Sequence, residues 1–138
     1  MRVLETTGSW AYNLATWRQA NGAAGNQLDF VIGLPEVPVS VQAMAVYGNT
    51  SANRTGLIAI GLDSTTAPAT GCAYGHAVIQ SANVQVPLSA TLRTFPGIGR
   101  HTVTSLEAGD PSSATGTFYG QNGIALGIQS GIVGEITG

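Results

Sequence analysis

Two carboxylates three positions apart, Glu107 and Asp110, have the residue types that acid–base chemistry on a glycosidic bond needs: one acid to protonate the leaving oxygen, one carboxylate to attack or to activate water. They stand in or beside a stretch of Asp, Pro and Ser, where acidic side chains ordinarily shape turns, and the structural reading outweighs the catalytic one. Cys72 and His76 are four residues apart, a metal-ligand spacing only on a helix or a tight loop, and no second pair completes a tetrahedral site. His101 lies among Thr and Val in an alternating segment, the setting of a hydrogen-bonded strand histidine. A nucleophilic role for Cys72 with a histidine partner finds no support in the spacing, and neither a Gly-x-Ser-x-Gly elbow nor a phosphate-binding loop occurs. The sequence therefore predicts a protein that is not an enzyme and that carries no cofactor and no metal.

Arg18 and Asp29 stand out for another reason. Only 12 of 138 residues are charged, and these two flank a turn rich in Asn and Gly, Asn21-Gly22 through Gly25-Asn26. If that turn closes a hairpin, the two can pair across it; the functional alternative is a contact across a subunit boundary, and Arg18 and Asp29 are the subunit-contact residues expected here.

The elements that would position these groups read as strands. Trp10, Tyr12 and Leu14 alternate before the turn, with Trp17 shifting the large residue to the other face and suggesting a bulge near Thr16; Leu28, Phe30 and Ile32 alternate after it. Val39, Val41, Ala43, Ala45 and Tyr47 form the longest clean alternation. Further strands are expected over Leu57–Leu62, His76–Val86, Leu88–Phe95, Arg100–Leu106, Thr117–Tyr119 and Ile128–Ile136, with Pro87 either dividing two of them or lying inside one kinked edge strand. Leu34-Pro35-Glu36-Val37-Pro38 reads as a connection, and Glu107–Gly116 as a loop. No segment has the pattern of an amphipathic helix. About eight strands separated by Gly, Pro and Asn turns predict a single all-β domain over residues 1–138, an antiparallel β-sandwich of jelly-roll type. The spacing Gly123, Gly127, Gly131 matches packed membrane helices but falls among Gln and Ser, so turn or strand glycines are the expectation.

Composition narrows the partners. The chain has no lysine and five scattered arginines, which argues against a nucleic-acid partner and against an electrostatic membrane anchor. One cysteine makes no internal disulfide, and 43% hydrophobic residues with few charges favour an oligomer or a place in a larger assembly.

Val3-Leu4-Glu5-Thr6-Thr7-Gly8-Ser9-Trp10, Thr16-Trp17-Arg18-Gln19-Ala20-Asn21 and Asn26-Gln27-Leu28-Asp29-Phe30-Val31-Ile32-Gly33 resemble a family of tailed-bacteriophage structural proteins. Gly61-Leu62-Asp63-Ser64, Gly99-Arg100-His101, Leu106-Glu107, Gly116-Thr117-Phe118-Tyr119-Gly120 and Gly131-Ile132-Val133-Gly134 continue the resemblance over nearly the whole chain. It implies a non-enzymatic virion component, a homotrimer of β-sandwich domains assembled in the bacterial host cytoplasm and displayed on the outer surface of the particle. If Met1 is the natural start, the upstream shaft of fibre-like relatives is missing, which favours a capsid decoration (cement) protein whose partner is the major capsid protein. The alternative is a tail- or head-fibre tip binding a host surface glycan, for which Trp10, Trp17, Tyr47, Tyr74 and Tyr119 are the stacking candidates.

Overall fold

The computed structural model describes residues 1–111, 114–121 and 129–137. Among the described residues, eleven strands form two antiparallel sheets: β1 (Arg2–Leu4), β2 (Ser9–Ala11), β3 (Arg18–Gln19), β4 (Gln27–Ile32), β5 (Val39–Asn49), β6 (Arg54–Leu62), β7 (Gly75–Ile79), β8 (Gln85–Thr94), β9 (Gly99–Gly109), β10 (Gly116–Tyr119) and β11 (Gly131–Ile136). The first sheet runs β8, β5, then β10 and β11 end to end, then β2 and β1 end to end; the second runs β7, β6, β9, then β3 and β4 end to end. Counting each interrupted pair as one line gives eight, the number expected. The only helical turn among the described residues is a 3-10 turn at Ala20–Gly22.

Alternation places the core. In β5, Val39, Val41, Ala43 and Tyr47 are buried while Ser40, Gln42 and Met44 face outward; Leu28, Phe30 and Ile32 of β4 do the same in the other sheet. Ile58 and Ile60 of β6, Ile79 of β7, Leu88 and Leu92 of β8, Val103 of β9, Phe118 of β10 and Ile132 of β11 complete the layer between the sheets. Phe118 lies against both Trp10 and Tyr47, with ring centroids at 6.2 and 5.0 Å. Tyr47 is fully buried, and its hydroxyl accepts from the Asn49 amide at 3.0 Å, which satisfies the one polar atom its ring carries inward. Pro87 lies inside β8, which pairs in register only with β5; an edge strand tolerates the missing N–H, so the kinked-strand reading holds and the division falls instead at residues 80–84.

The Asn-Gly turn does not close a hairpin. Arg18 and Gln19 pair with Glu107 and Leu106, and Gln27 pairs with Thr104, so β3 and β4 run in the same direction along the same side of β9. Residues 20–26 are looped out opposite Ser105, whose N–H reaches the Asn26 carbonyl at 3.1 Å. Two successive turns make the excursion, closed by Ala23 N–H to the Ala20 carbonyl and Asn26 N–H to the Ala23 carbonyl, both at 3.1 Å. Asn21 at φ 58° and Gly22 at φ 59° supply the left-handed backbone the first turn needs. Positive φ bends the chain locally; two bends that cancel return it to its original line.

Other boundaries shift as well. The strand expected through Trp17 stops at Ala11, because Tyr12 folds over and donates its hydroxyl to the Thr16 carbonyl at 2.8 Å. The loop expected from Glu107 is strand as far as Gly109, since β9 stays paired with β6 out to Gly56–Gly109. Ile128, the expected start of the last strand, and Gly123 and Gly127 lie outside the described residues.

Candidate functional site

The buried carboxylates among the described residues gather where the edge lines β1–β2 and β3–β4 of the two sheets meet. Glu107 points inward from β9 and is 1% exposed. Its Oε1 accepts from Arg18 Nε at 2.8 Å and from the Asn21 backbone N–H at 3.2 Å, with Arg18 Nη2 at 2.7 Å; its Oε2 accepts from Trp10 Nε1 at 2.7 Å. The guanidinium of Arg18 stacks over the Tyr12 ring, 3.8 Å from its centroid.

A second carboxylate completes the cluster. Glu5, in the bend between β1 and β2, takes the Thr6 and Thr7 backbone N–H groups on Oε1 at 2.9 and 2.8 Å, and the Asn26 amide on Oε2 at 2.6 Å. Asn21 joins the two acids: its backbone N–H goes to Glu107, and its side-chain amide to Glu5 at 3.4 Å and to the Thr7 hydroxyl at 2.9 Å. The looped-out residues 20–26 therefore act as a plug between the sheet edges, and the two carboxylates hold it there.

The two acids respond oppositely to this setting. Burial is the largest influence on Glu107 and pushes its carboxyl above the ordinary range, even against the donors from Trp10, Arg18 and Asn21. Burial also acts on Glu5, but the donors from Asn26, Thr7 and Thr6 together outweigh it and lower its pKa. Between them lies a cavity of about 20 Å3 lined by Glu5, Trp10, Asn26, Ser105, Glu107 and Ser130 among others, large enough for one water and too small for a substrate. Every oxygen of both carboxylates already accepts at least one hydrogen bond from the chain, and together these bonds hold the flank shut.

The remaining candidates are dispersed. Asp110 pairs with Arg54 at 3.7 Å, while Glu107 turns inward to Arg18, so the pair considered for glycosidase chemistry divides its roles between two separate ion pairs. Arg18 and Asp29 do not meet; Asp29 lies on the surface opposite Thr102 and pairs with Arg100 at 3.5 Å. The hairpin that would have joined them does not exist. His101 tilts against Phe30 and contacts Asp63 at 2.8 Å through Nδ1 and the Gly97 carbonyl at 3.3 Å through Nε2. Burial raises the Asp63 pKa, but His101 and the Thr102 N–H win and hold it low. Cys72 takes a hydrogen bond from the Ile60 N–H at 3.3 Å, burial raises its pKa, and no group of three His, Cys, Asp or Glu among the described residues could hold a metal ion.

No protein-family model and no curated protein matches this chain. Geometry is then the guide to function, and it directs attention to one end of the sandwich. There the β4–β9, β5–β8 and β5–β11 ladders terminate, and the connections at 33–38 and 95–98 cover the end. The four most exposed large hydrophobic side chains among the described residues are all found here: Val31 at 70%, Ile98 at 67%, Phe95 at 60% and Leu34 at 58%. Of the aromatic candidates for stacking, Trp10 is half-buried and Tyr47 lies in the core, while Trp17 and Tyr74 form an edge-to-face pair at 5.5 Å.

The acidic cluster was only partly visible beforehand. Glu5 and Asn26 gave no spacing signal, since they meet only when the excursion folds back, and Trp10 reads as a core residue until its indole N–H is seen on Glu107. The one available clue was scarcity: a chain with so few charges has little reason to place a glutamate between alternating apolar segments except to use it internally.

Proposed function

We propose that this chain is a non-enzymatic structural protein of a tailed-bacteriophage particle, a capsid decoration protein that binds the outer surface of the head as a homotrimer and stabilises the shell by bridging major capsid subunits. The apolar end formed by Val31, Leu34, Phe95 and Ile98 carries the reading: on a molecule with only 12 charged residues, exposed apolar side chains gathered at one end suit a surface that is covered in the assembled state. The strand order supports a jelly-roll assignment. Numbered as eight lines in chain order, the sheets run 1-8-3-6 and 2-7-4-5, the order that two Greek keys produce. Asp29, exposed beside Val31 and ion-paired with the exposed Arg100, remains suited to a subunit contact, whereas Arg18 is committed to the buried Glu107.

The test is decoration in trans. Purified protein mixed with capsids of the encoding phage that lack it should co-sediment with them and raise the temperature at which the shells break. The Phe95→Ser, Ile98→Ser double variant should stay in the supernatant with its fold intact. Failure of the wild-type protein to sediment with capsids would overturn the assignment, and a monomer mass by light scattering at micromolar concentration would overturn the trimer.

A further inference from the structure

The outer face of the first sheet holds a trough of about 480 Å3, floored by β8, β5 and β11 and lined by Ser40, Gln42, Thr91, Arg93, Val133 and Glu135, within the range of small-molecule sites. Ser40 is paired in register with Arg93 on one side and with Glu135 on the other, so the two charged residues face each other across one intervening strand, about 10 Å apart at the backbone. Neither side chain makes a hydrogen bond or an ion pair among the described residues, although those of Arg18, Arg54, Arg100, Asp29, Asp63, Glu107 and Asp110 all do. Gln42 uses its amide N–H on the Ser89 hydroxyl at 3.0 Å and leaves its carbonyl oxygen free.

We propose that this trough is a binding site for a neutral carbohydrate. The walls disfavour a ligand of net charge, since a net anion meets Glu135 and a net cation meets Arg93, and the hydroxyl and amide groups of Ser40, Thr91 and Gln42 would go unused by a wholly apolar one. A sugar ring presents adjacent hydroxyls that both donate and accept. The planar fork of an arginine donates to two such oxygens and a carboxylate accepts from two such hydroxyls, with Ser40, Thr91 and the Gln42 carbonyl serving those between. Val133 offers the small apolar surface that the C–H face of a ring requires. The site goes beyond capsid attachment: it lies on the outer face of the first sheet, one rung in from the end at which Phe95 stands, and it is read on the free protein whether or not that protein decorates a head.

The test is a titration of the 15N-labelled protein with neutral tetrasaccharides of glucose, mannose, galactose and N-acetylglucosamine, with a sialylated and a phosphorylated sugar as charged controls. At least one neutral sugar should shift the amides of Ser40, Gln42, Thr91, Arg93, Val133 and Glu135 in a saturable way. Arg93→Ala and Glu135→Ala should each weaken that binding about tenfold or more; both side chains are exposed, and an unchanged spectrum elsewhere shows that the fold is kept. No response to any neutral sugar at about 10 mM, shifts confined to another surface, or variants that bind as well as wild type would each overturn the proposal.

Discussion

The two flanks of the sandwich are closed by different chemistry. On one, the residues leading into β7 approach β8 so closely that the two share backbone hydrogen bonds: Ala73 N–H to the Thr91 carbonyl at 2.8 Å and Thr91 N–H to the Ala73 carbonyl at 3.0 Å. Gly75 permits the approach, since a β-carbon there would stand 2.7 Å from Ile58 Cγ1 and 2.8 Å from the Ser89 carbonyl oxygen. On the other, β1–β2 and β3–β4 leave a gap that the excursion 20–26 fills, and two glutamates secure it through side chains. A backbone seam depends on shape alone. A carboxylate seam depends on shape and on protons, so the same fold has one flank indifferent to pH and one that responds to it.

The sharpest way to break the second flank is Glu107→Ala. It leaves the Trp10 indole N–H, the Asn21 N–H and the Arg18 guanidinium without their acceptor, and removing one partner of a buried pair costs about 3–5 kcal/mol; the low end, about 3, is expected because the Arg18 side chain is 33% exposed and can turn toward water. Urea unfolding monitored by tryptophan fluorescence measures it. The matching insult to the first flank is Gly75→Ala, which forces the backbones apart and should cost about 1–3 kcal/mol, with a loss that does not change with pH.

Glu5→Gln is the smallest change and the most informative about protons. It should cost about 1–2 kcal/mol at neutral pH, because a carboxylate oxygen facing N–H donors becomes an amide that cannot accept them all. The pH profiles follow from the opposite shifts of the two acids. Glu5 has a lowered folded pKa, so its contribution is complete above the ordinary glutamate value and is lost as pH falls through the depressed one. Glu107 has a raised folded pKa, so the folded state favours its proton, and stability declines as pH rises from the ordinary glutamate value through the raised one. Glu5→Gln should therefore flatten the acid side of the stability profile and leave the decline due to Glu107 in place. A variant with the wild-type acid limb would remove Glu5 from the seam.

The strands of the sandwich were largely legible in the sequence, and the acidic seam of the second flank was not. Strict alternation marks β4 and β5 because each has one dry face, and eight lines of antiparallel sheet follow from the turn residues between such segments. Asn21-Gly22 announces positive φ correctly, but a local dihedral carries no information on whether the chain reverses or rejoins its line; that is decided by β9, which offers one continuous edge to both β3 and β4. Glu107 read as loop because Asp110 and Pro111 follow it, whereas its place in β9 is set by pairing with Ile58 of a strand some fifty residues earlier in the chain. Long-range partners determine the acidic seam, and long-range partners are what a pattern of nearest neighbours omits.

Hydrogen exchange at four amides tests the contrast between flanks without any substitution. Thr6 and Thr7 donate to the Glu5 carboxylate, and Ala73 and Thr91 donate to backbone carbonyls. With exchange corrected for the intrinsic effect of pH, lowering the pH stepwise from neutral to about 2, well below the ordinary glutamate value so as to pass through the depressed one, should reduce protection at Thr6 and Thr7 while Ala73 and Thr91 keep theirs. Equal loss at all four amides, or earlier loss at Ala73 and Thr91, would contradict a sandwich fastened by carboxylates on one side and by its backbone on the other.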